Sequence, residues 1–241
     1  MCRIIRPFIV AVLGIALGSS HVQSADPEPK PILFIGNSYT SVNDLPKMIA
    51  ELAKAGNQPA FDIQRELIGG ATLEKHFVEG KGPKKIAEKN WDLVILQENS
   101  MRPITDPKAM MEYGKKLDAE IKKQKSKTLL YLTWARDGAP ENQTKITTAY
   151  RDLAKEIGAT IVPVGLAWEA ALKDDPKCGL HAADKSHPTK KGTYLGACVF
   201  YGVLCRKSPV GLPGKPGGLD DADAKKLQEI AWKTVEASRS P

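Results

Sequence analysis

The sequence contains few of the residues that metal centres and disulfide scaffolds need. Its 241 residues include only four cysteines and four histidines, and their spacing fits no zinc motif. Long apolar runs are also scarce. The one near the N-terminus is shorter than the ~20 residues of a membrane span, and no other run is long enough either. These absences argue against a zinc protein and against an integral membrane protein.

The N-terminus has the pattern of a secretory signal peptide. Arg3 and Arg6 precede an apolar run at 7–17, and Ser24 ends a small-x-small cleavage pattern. We therefore predict a signal peptide at 1–24 and a secreted or periplasmic protein. An uncleaved N-terminal anchor is the alternative interpretation.

The remaining chain, 25–241, has the size of a single α/β domain with a substantial core. Basic residues outnumber acidic ones, 35 against 28, which gives a formal charge of +7. The lysine pairs are scattered among acidic residues, as on solvated helix faces. We therefore expect no nucleic-acid partner and no stable membrane insertion after signal cleavage. The sequence predicts no particular oligomeric state.

Three cysteines remain once Cys2 leaves with the signal peptide. Cys198 and Cys205 are seven residues apart on one predicted helix, which separates them by roughly 10 Å along its axis. That is too far for a disulfide. Cys178 bonded to either of them is the candidate disulfide for an oxidising compartment. Three buried thiols are the alternative.

Apolar strands and amphipathic helices alternate along the chain. Predicted strands lie at 32–35, 61–68, 92–96, 128–132 and 160–164. Predicted helices lie at 45–55, 107–125, 141–157, 166–172, 188–204 and 220–238, and an interrupted helix follows the second strand. This alternation predicts an α/β fold, a three-layer α/β/α sandwich around a five-stranded parallel sheet. Functional groups are then expected just after the carboxyl ends of the strands.

The first strand ends in the run Gly36-Asn37-Ser38. A glycine lets the backbone turn sharply at the edge of the sheet. The following helix can direct its N–H groups at a developing negative charge. Ser38 is therefore a candidate nucleophile. The alternative is that Asn37 and Ser38 only cap the helix, a common role for both residue types.

A second candidate segment contains Asp184 and His187, three residues apart in a predicted turn before a helix. A serine hydroxyl needs an adjacent base, and histidine suits that task near neutral pH. A carboxylate fixes the imidazole tautomer and stabilises the imidazolium that forms. Taken alone, the pair could equally be a turn former and a helix-start residue.

Together these segments resemble the SGNH, or GDSL-like, hydrolase superfamily over most of the mature chain. In that family a Gly-Asp-Ser block carries the nucleophile and a C-terminal Asp-x-x-His block supplies acid and base. Gly36-Asn37-Ser38 matches the first block with Asn in place of Asp, and Asp184 and His187 match the last. The resemblance implies the flavodoxin-like SGNH hydrolase fold. It also implies a serine esterase with a triad of Ser38, Asp184 and His187 and with no metal or cofactor.

The resemblance also implies an oxyanion hole, but here the match is incomplete. The family uses the nucleophile's N–H, a glycine after the second strand and an asparagine after the third. Ser38 and Gly70, or its neighbour Gly69, match the first two positions. The usual Gly-x-Asn-Asp block is absent, so Gln97 or Asn99 is the candidate side-chain donor. Gln97 lies nearer the strand end and is preferred.

Four residues near these segments are candidates for substrate binding: Asn37, Gly69, Trp134 and Arg136. Trp134 could stack on a sugar ring or pack in the core, and His181 is expected at the surface. A compact exported chain without a long apolar lid favours a short acyl group, such as acetyl, on a small molecule or polysaccharide.

Two competing interpretations belong to other functional classes. A non-catalytic carbohydrate-binding or scaffolding domain could keep this fold, and loss of the usual third block favours it slightly. A flavodoxin-like phosphate-binding protein is the other. It would leave Asp184 and His187 unexplained, and the loop at Gly36 lacks the glycine spacing of a phosphate cradle.

Overall fold

The structure, a computed structural model, describes Met1, residues 28–216 and residues 218–239. Apart from Met1, the predicted signal peptide and its cleavage site lie outside this part of the chain, as does Cys2. Within the described residues, no helix is both long and apolar enough to span a membrane.

The centre of the molecule is a sheet of five strands. They are β1 (Lys30–Gly36), β2 (Phe61–Leu67), β3 (Leu93–Leu96), β4 (Lys127–Tyr131) and β5 (Thr160–Val162). Their order across the sheet is β2-β1-β3-β4-β5, and every neighbouring pair is parallel. The predicted five-stranded parallel sheet is confirmed. Because the chain adds β2 on one side of β1 and β3 on the other, the carboxyl ends of β1 and β3 flank the switch point where ligands bind in such sheets.

Ten helices surround the sheet in the described residues. They are α1 (Ser38–Ser41), α2 (Leu45–Ala55), α3 (Leu73–Val78), α4 (Lys81–Ala87), α5 (Arg102–Thr105), α6 (Pro107–Lys123), α7 (Asn142–Ile157), α8 (Val164–Asp174), α9 (Lys190–Cys205) and α10 (Asp221–Ala237). One face of the sheet packs against α2, α8, α9 and α10, and the other against α3, α4, α6 and α7. This is the predicted three-layer sandwich.

Alternate residues of β1 show how the strands serve both layers. Ile32 and Phe34 belong to the core on the α9 side, whereas Leu33 and Ile35 belong to the core on the α6 side. Side chains alternate along a strand, so a strand covered on both faces must be apolar throughout. The continuous apolar run recognised in the sequence has this cause.

The structure differs from the prediction mainly at short elements. Helices α1 and α5 have four residues each, too few to show a helical apolar period, and were not predicted. Strand β5 ends at Val162 rather than 164, and α8 begins at Val164. Pro163 between them has no N–H to continue the ladder.

The candidate disulfide of Cys178 is not formed. The cysteines at 178, 198 and 205 are all free thiols, the first two buried and the third half-buried. Cys198 lies within α9 in the apolar core, where burial raises the pKa of its thiol. The alternative of buried thiols, which pack as small apolar side chains, therefore holds for Cys178 and Cys198 but only partly for Cys205.

Candidate active site

Ser38 lies where β1 turns into α1, at the carboxyl edge of the sheet. Asn37 is the N-cap of α1, and its Oδ1 accepts the N–H of Tyr39 at 3.1 Å. Ser38 is the first helical residue, and its Oγ lies 2.8 Å from Nε2 of His187. Each interpretation of the sequence therefore holds for one residue. Asn37 caps the helix, and the hydroxyl of Ser38 faces the ring of His187.

Gln97 is hydrogen-bonded to the turn between β1 and α1 and is not available as an oxyanion donor. Its Oε1 accepts the N–H of Asn37 at 2.9 Å and the hydroxyl of Thr40 at 3.0 Å. Its Nε2 donates to Oδ1 of Asn37 at 3.0 Å and to the carbonyl of Glu98. Gln97 is only 1% exposed. The preference for Gln97 in the oxyanion hole is therefore wrong, because both ends of its amide already have partners.

The same network removes Asn37 from the substrate-binding candidates. Its Oδ1 serves Tyr39 and Gln97, its Nδ2 donates to the carbonyl of Ala71 at 2.9 Å, and the residue is buried. The adjacent Gly36 has to be glycine, since a Cβ there would lie 2.6 Å from Oε1 of Gln97.

His76 is a further contact of the nucleophile segment that the sequence analysis missed. It lies on α3, fully buried, with Nε2 2.8 Å from the carbonyl of Gly36. A carbonyl only accepts hydrogen bonds, so Nε2 carries the proton. Burial lowers the pKa of His76, which keeps the ring neutral. Nothing in the local sequence marks this residue, because its partner is 40 positions away.

Asp184 and His187 form the other half of the site. Nδ1 of His187 is hydrogen-bonded to Oδ2 of Asp184, while Oδ1 of Asp184 accepts the N–H groups of Ser186 at 3.0 Å and His187 at 2.9 Å. These hydrogen bonds, first that from the imidazole, lower the pKa of Asp184 to about 2. The ionised carboxylate therefore favours the His187 tautomer that leaves Nε2 free to accept a hydrogen bond from the hydroxyl of Ser38.

The loop that carries Asp184 and His187 is held by backbone hydrogen bonds at both ends. The N–H of Ala182 donates to the carbonyl of His187 at 2.8 Å, which closes the loop on itself. The N–H of Asp137 donates to the carbonyl of Lys185 at 2.9 Å, which ties the loop to the segment after β4.

An aromatic stack lies beneath this loop. The rings of Tyr39 and Trp134 stack with centroids 4.5 Å apart, and Trp134 stacks on Trp168 at 3.9 Å. Nε1 of Trp134 donates to the carbonyl of Ser186 at 3.0 Å. Trp134 is 2% exposed, so of its two predicted roles the structure favours packing in the core over contact with a sugar. It supports the loop with Asp184 and His187 from inside the protein.

His181 extends the same support. Its ring meets Trp168 edge-on at 4.8 Å, and its Nε2 is 3.0 Å from the carbonyl of Ala135. The residue, which was expected at the surface, is half-buried between the loop with Asp184 and His187 and the segment after β4.

The candidate oxyanion donors follow the ends of β1, β2 and β3, which are neighbours in the sheet. Gly70 is exposed with a φ of +67°, a conformation that favours glycine. Among the described residues, the backbone N–H groups of Ser38 and Gly70 have no acceptor. Nδ2 of Asn99 donates to the carbonyl of Gly70 at 2.9 Å, and its Oδ1 accepts the N–H of Met101 at 2.9 Å. One amide hydrogen of Asn99 remains, so of the two predicted side-chain donors only Asn99 has a hydrogen without an acceptor among the described residues.

Gly69 and Arg136 remain open to a ligand. Gly69 is exposed, and within the described residues the space that a Cβ would occupy there is open to 4 Å. Arg136 is exposed, and its Nη2 donates to Oγ of Ser100 at 3.0 Å across the carboxyl edge. Within the described part of the chain it has no ion-pair partner, so its remaining N–H groups can meet a substrate.

Solved structures share this fold. A protein from Slackia heliotrinireducens, described as a candidate SGNH hydrolase, is 26% identical with a TM-score of 0.64 over 73% of this chain and 99% of that one. A DUF4886 family protein from Bacteroides uniformis is 20% identical, with a TM-score of 0.73 over 88% and 97%. The acetyl xylan esterase AlAXEase is 19% identical, with a TM-score of 0.60 over 72% and 99%. No protein-family model and no curated protein matches the chain.

The chain has a parallel sheet with this strand order and a serine at its edge that meets an Asp-x-x-His loop, an arrangement expected of a serine hydrolase of the α/β/α class. In fold it is similar to SGNH hydrolases, among them the Slackia protein. The resemblance to that superfamily recognised in the sequence is confirmed.

Proposed function

We propose that this SGNH-type hydrolase cleaves carboxylic esters with Ser38 as nucleophile, His187 as general base and acid, and Asp184 as the group that orients His187. The observation that carries the proposal is the continuous contact from Ser38 Oγ through both ring nitrogens of His187 to the carboxylate of Asp184. That order of groups is what activation of a serine hydroxyl requires.

In the first half of the reaction, Oγ of Ser38 bonds to the ester carbonyl carbon as its proton passes to Nε2 of His187. The oxyanion that forms accepts the N–H groups of Ser38 and Gly70 and the free amide hydrogen of Asn99. One such donor is typically worth about 3 kcal/mol of transition-state stabilisation. When the intermediate collapses, the bond to the alcohol oxygen breaks, and His187 gives that oxygen its proton.

The second half repeats these steps with water. Water attacks the acyl carbon and gives a proton to Nε2 of His187, and the oxyanion occupies the same donors. The bond from carbon to Oγ of Ser38 then breaks, and the proton returns to Oγ. Asp184 stabilises the imidazolium in both halves and stays ionised, as its lowered pKa of about 2 favours.

A short acyl group on a carbohydrate is the substrate that the surroundings of the site favour. The side chains of His187 and Asp184 are 35% and 49% exposed, so a polymer can reach them. Within the described residues, the exposed large apolar side chains are Met1, Val78 and Val210, none of which belongs to the site. A lipid substrate would need an apolar landing surface. The similarity to an acetyl xylan esterase agrees with acetyl as the acyl group.

The test is hydrolysis of p-nitrophenyl esters of increasing acyl length by the mature protein and by Ser38→Ala. We expect the acetate to be the best substrate and the variant to lose activity by about a thousandfold or more. Ser41→Ala is the matched control, because Ser41 is exposed on the same short helix. A folded protein without activity on any ester and without fluorophosphonate labelling would contradict the proposal. A non-catalytic binding domain would then be favoured.

We also propose that the protein is exported, on the N-terminal pattern of basic and apolar residues. N-terminal sequencing of the protein recovered from the periplasm or the medium should begin at Ala25. A protein that retains Met1 in the cell membrane fraction would instead indicate an uncleaved anchor.

A further inference from the structure

Glu98 is a buried carboxyl group that the proposed mechanism does not use. It lies between Gln97 and Asn99 directly after β3 and is only 1% exposed. No ion pair in the described residues includes it; Arg102, a cation whose field reaches it, is already bonded to Glu74 and Asp106. Burying a carboxyl group without a cation is costly, so its contacts need an explanation.

Both hydrogen bonds of this carboxyl group go to loops of the active site. Oε1 accepts the N–H of Leu73 at 3.2 Å and the N–H of Asn99 at 2.6 Å. Leu73 begins α3, three residues after Gly70. A single oxygen atom therefore joins the loop after β2 to the loop after β3.

These loops carry two of the proposed oxyanion donors. Asn99 also donates from Nδ2 to the carbonyl of Gly70, at 2.9 Å, so the loops meet at a second point. Gly70 itself has no side chain, and the space around its Cβ position is open within the described residues. The placement of its N–H therefore depends on what holds the neighbouring backbone.

We infer that Glu98 is a positioning residue, which fixes the N–H of Gly70 and the amide of Asn99 relative to each other and so shapes the oxyanion hole. This inference rests on the proposed function. Glu98 touches no substrate atom; it acts through Leu73 and Asn99. In the superfamily pattern this stretch would read Gly-x-Asn-Asp, and Glu98 belongs to the segment that departs from it.

The groups around Glu98 place its ionisation near neutral pH. Burial, the largest cause, raises the pKa of Glu98 to about 7, against the opposing effects of the N–H groups of Asn99 and Leu73 and the charge of Arg102. Glu74 raises the pKa further. From α7, the hydroxyl of Tyr150 accepts the N–H of Glu98 itself at 3.2 Å. The ionised form is the stronger acceptor for the two loop N–H groups.

The test compares Glu98→Gln with Glu98→Ala in hydrolysis of p-nitrophenyl acetate. Gln keeps an oxygen that can accept both N–H groups, so we expect its kcat to stay within about threefold of wild type. Ala leaves both loops untied, and a displacement near 1 Å at a reacting group costs about a hundredfold. We therefore expect kcat of Glu98→Ala to fall about 10- to 100-fold with KM nearly unchanged, because the donors act on the transition state.

The pH profile separates positioning from simple loss of stability. As pH falls through about 7, Glu98 takes up a proton and becomes the weaker acceptor, so the ratio of kcat/KM between wild type and Glu98→Gln should fall from about threefold to about one. The neutral side chain of Glu98→Gln has no such step. A variant that merely unfolds would change the fraction of active protein, not this pH dependence.

If Glu98→Ala does not fold, Glu98→Asp takes its place, since its carboxylate is one methylene too short to reach both loops and should also lose kcat. Wild-type kcat in Glu98→Ala, or in Glu98→Asp, would overturn the inference. A wild-type protein that hydrolyses no ester would overturn the proposed function instead, so the two failures are distinguishable.

Discussion

The two halves of the active site are built in opposite ways. The nucleophile segment around Ser38 is buried and is held by the side chains of Gln97 and His76, which are distant in sequence, while Asn37 of the segment donates to the distant carbonyl of Ala71. The loop with Asp184 and His187 is exposed at its functional side chains. Hydrogen bonds within residues 182–187 close it, and Trp134 and Asp137 hold it from outside. The first half depends on buried side-chain hydrogen bonds, and the second combines a local turn with contacts from the segment after β4.

This difference should separate activity from stability. A polar group in the buried half satisfies other buried groups, so its removal harms both the fold and the reaction. A functional group in the exposed half is solvated in any case, so its removal should harm the reaction alone.

The largest effect is expected for Asp184→Asn. Asn can still accept the N–H groups of Ser186 and His187 through its oxygen, so the turn should persist. It cannot enforce the His187 tautomer, and the equivalent change in serine proteases costs about 10⁴ in kcat. We expect kcat for p-nitrophenyl acetate to fall about 10³- to 10⁴-fold with the urea midpoint unchanged.

The matched control for this variant is Asp137→Asn. It neutralises an exposed carboxylate on a residue whose backbone N–H donates to the same loop. It should keep activity within a fewfold of wild type. A large loss of stability in Asp184→Asn would show that the carboxylate also holds the loop together, and the comparison of the two halves would fail.

Gln97→Ala should lower both stability and activity. The change leaves the N–H of Asn37 and the hydroxyl of Thr40 without an acceptor in a buried site, each at a cost of about 1–3 kcal/mol. We expect the free energy of unfolding to fall by about 3 kcal/mol and kcat to fall about 10- to 100-fold as Ser38 shifts. Urea denaturation and ester hydrolysis measure the two effects.

The control for Gln97→Ala is Gln64→Ala on β2, a half-buried residue whose side chain has no hydrogen-bond partner in the described residues. It should change stability much less. Wild-type stability in Gln97→Ala would mean that water accepts the hydrogen bonds of Asn37 and Thr40 in place of Gln97. Removal of a polar group would then cost the buried half no more stability than the exposed half.

The same division explains which parts of the site could be predicted from the sequence. Asp184 and His187 were recognised because their spacing and their turn are local, and the sheet was recognised because buried parallel strands are continuously apolar. Gln97 was assigned wrongly because its partners lie 57 and 60 residues away. The support from Trp134 depends on a stack whose members come from three separate segments. Contacts between residues so far apart in sequence produce no periodicity or spacing from which they could be predicted.

The pH dependence of stability should also differ between the halves. The raised pKa of Glu98, about 7 against 4.5 in an unfolded chain, means that the folded protein binds its proton more tightly. Wild-type stability, compared with Glu98→Gln, should be greatest below pH 4.5 and fall by about 3 kcal/mol as pH rises through 7. Asp184 has the opposite sign: its contribution is present above pH 3.8 and is lost as pH falls through about 2, but it should be small, because the side chain is exposed and screened by solvent.

Urea denaturation at a series of pH values measures both. The difference between wild type and Glu98→Gln should change between pH 4.5 and 8, whereas that between wild type and Asp184→Asn should change only below about pH 4. A flat difference for Glu98→Gln across neutral pH would show that the carboxyl group is ionised throughout, as in an exposed site.

The smallest effect is expected for Tyr39→Phe. Two hydrogen bonds join the halves of the site, that between Ser38 and His187 and that between Tyr39 and Ser186, and this change removes the second. The hydroxyl of Tyr39 lies 2.7 Å from Oγ of Ser186, while the ring stacks on Trp134 and meets the His187 ring edge-on at 5.6 Å. Phe keeps both ring contacts and loses only the hydrogen bond, which is worth about 1 kcal/mol. We expect stability to fall by about that amount and kcat to fall twofold to fivefold.

Tyr113→Phe on α6 is the control. A loss in kcat as large as that of Gln97→Ala would mean that this hydrogen bond, rather than the aromatic stack, aligns His187 with Ser38.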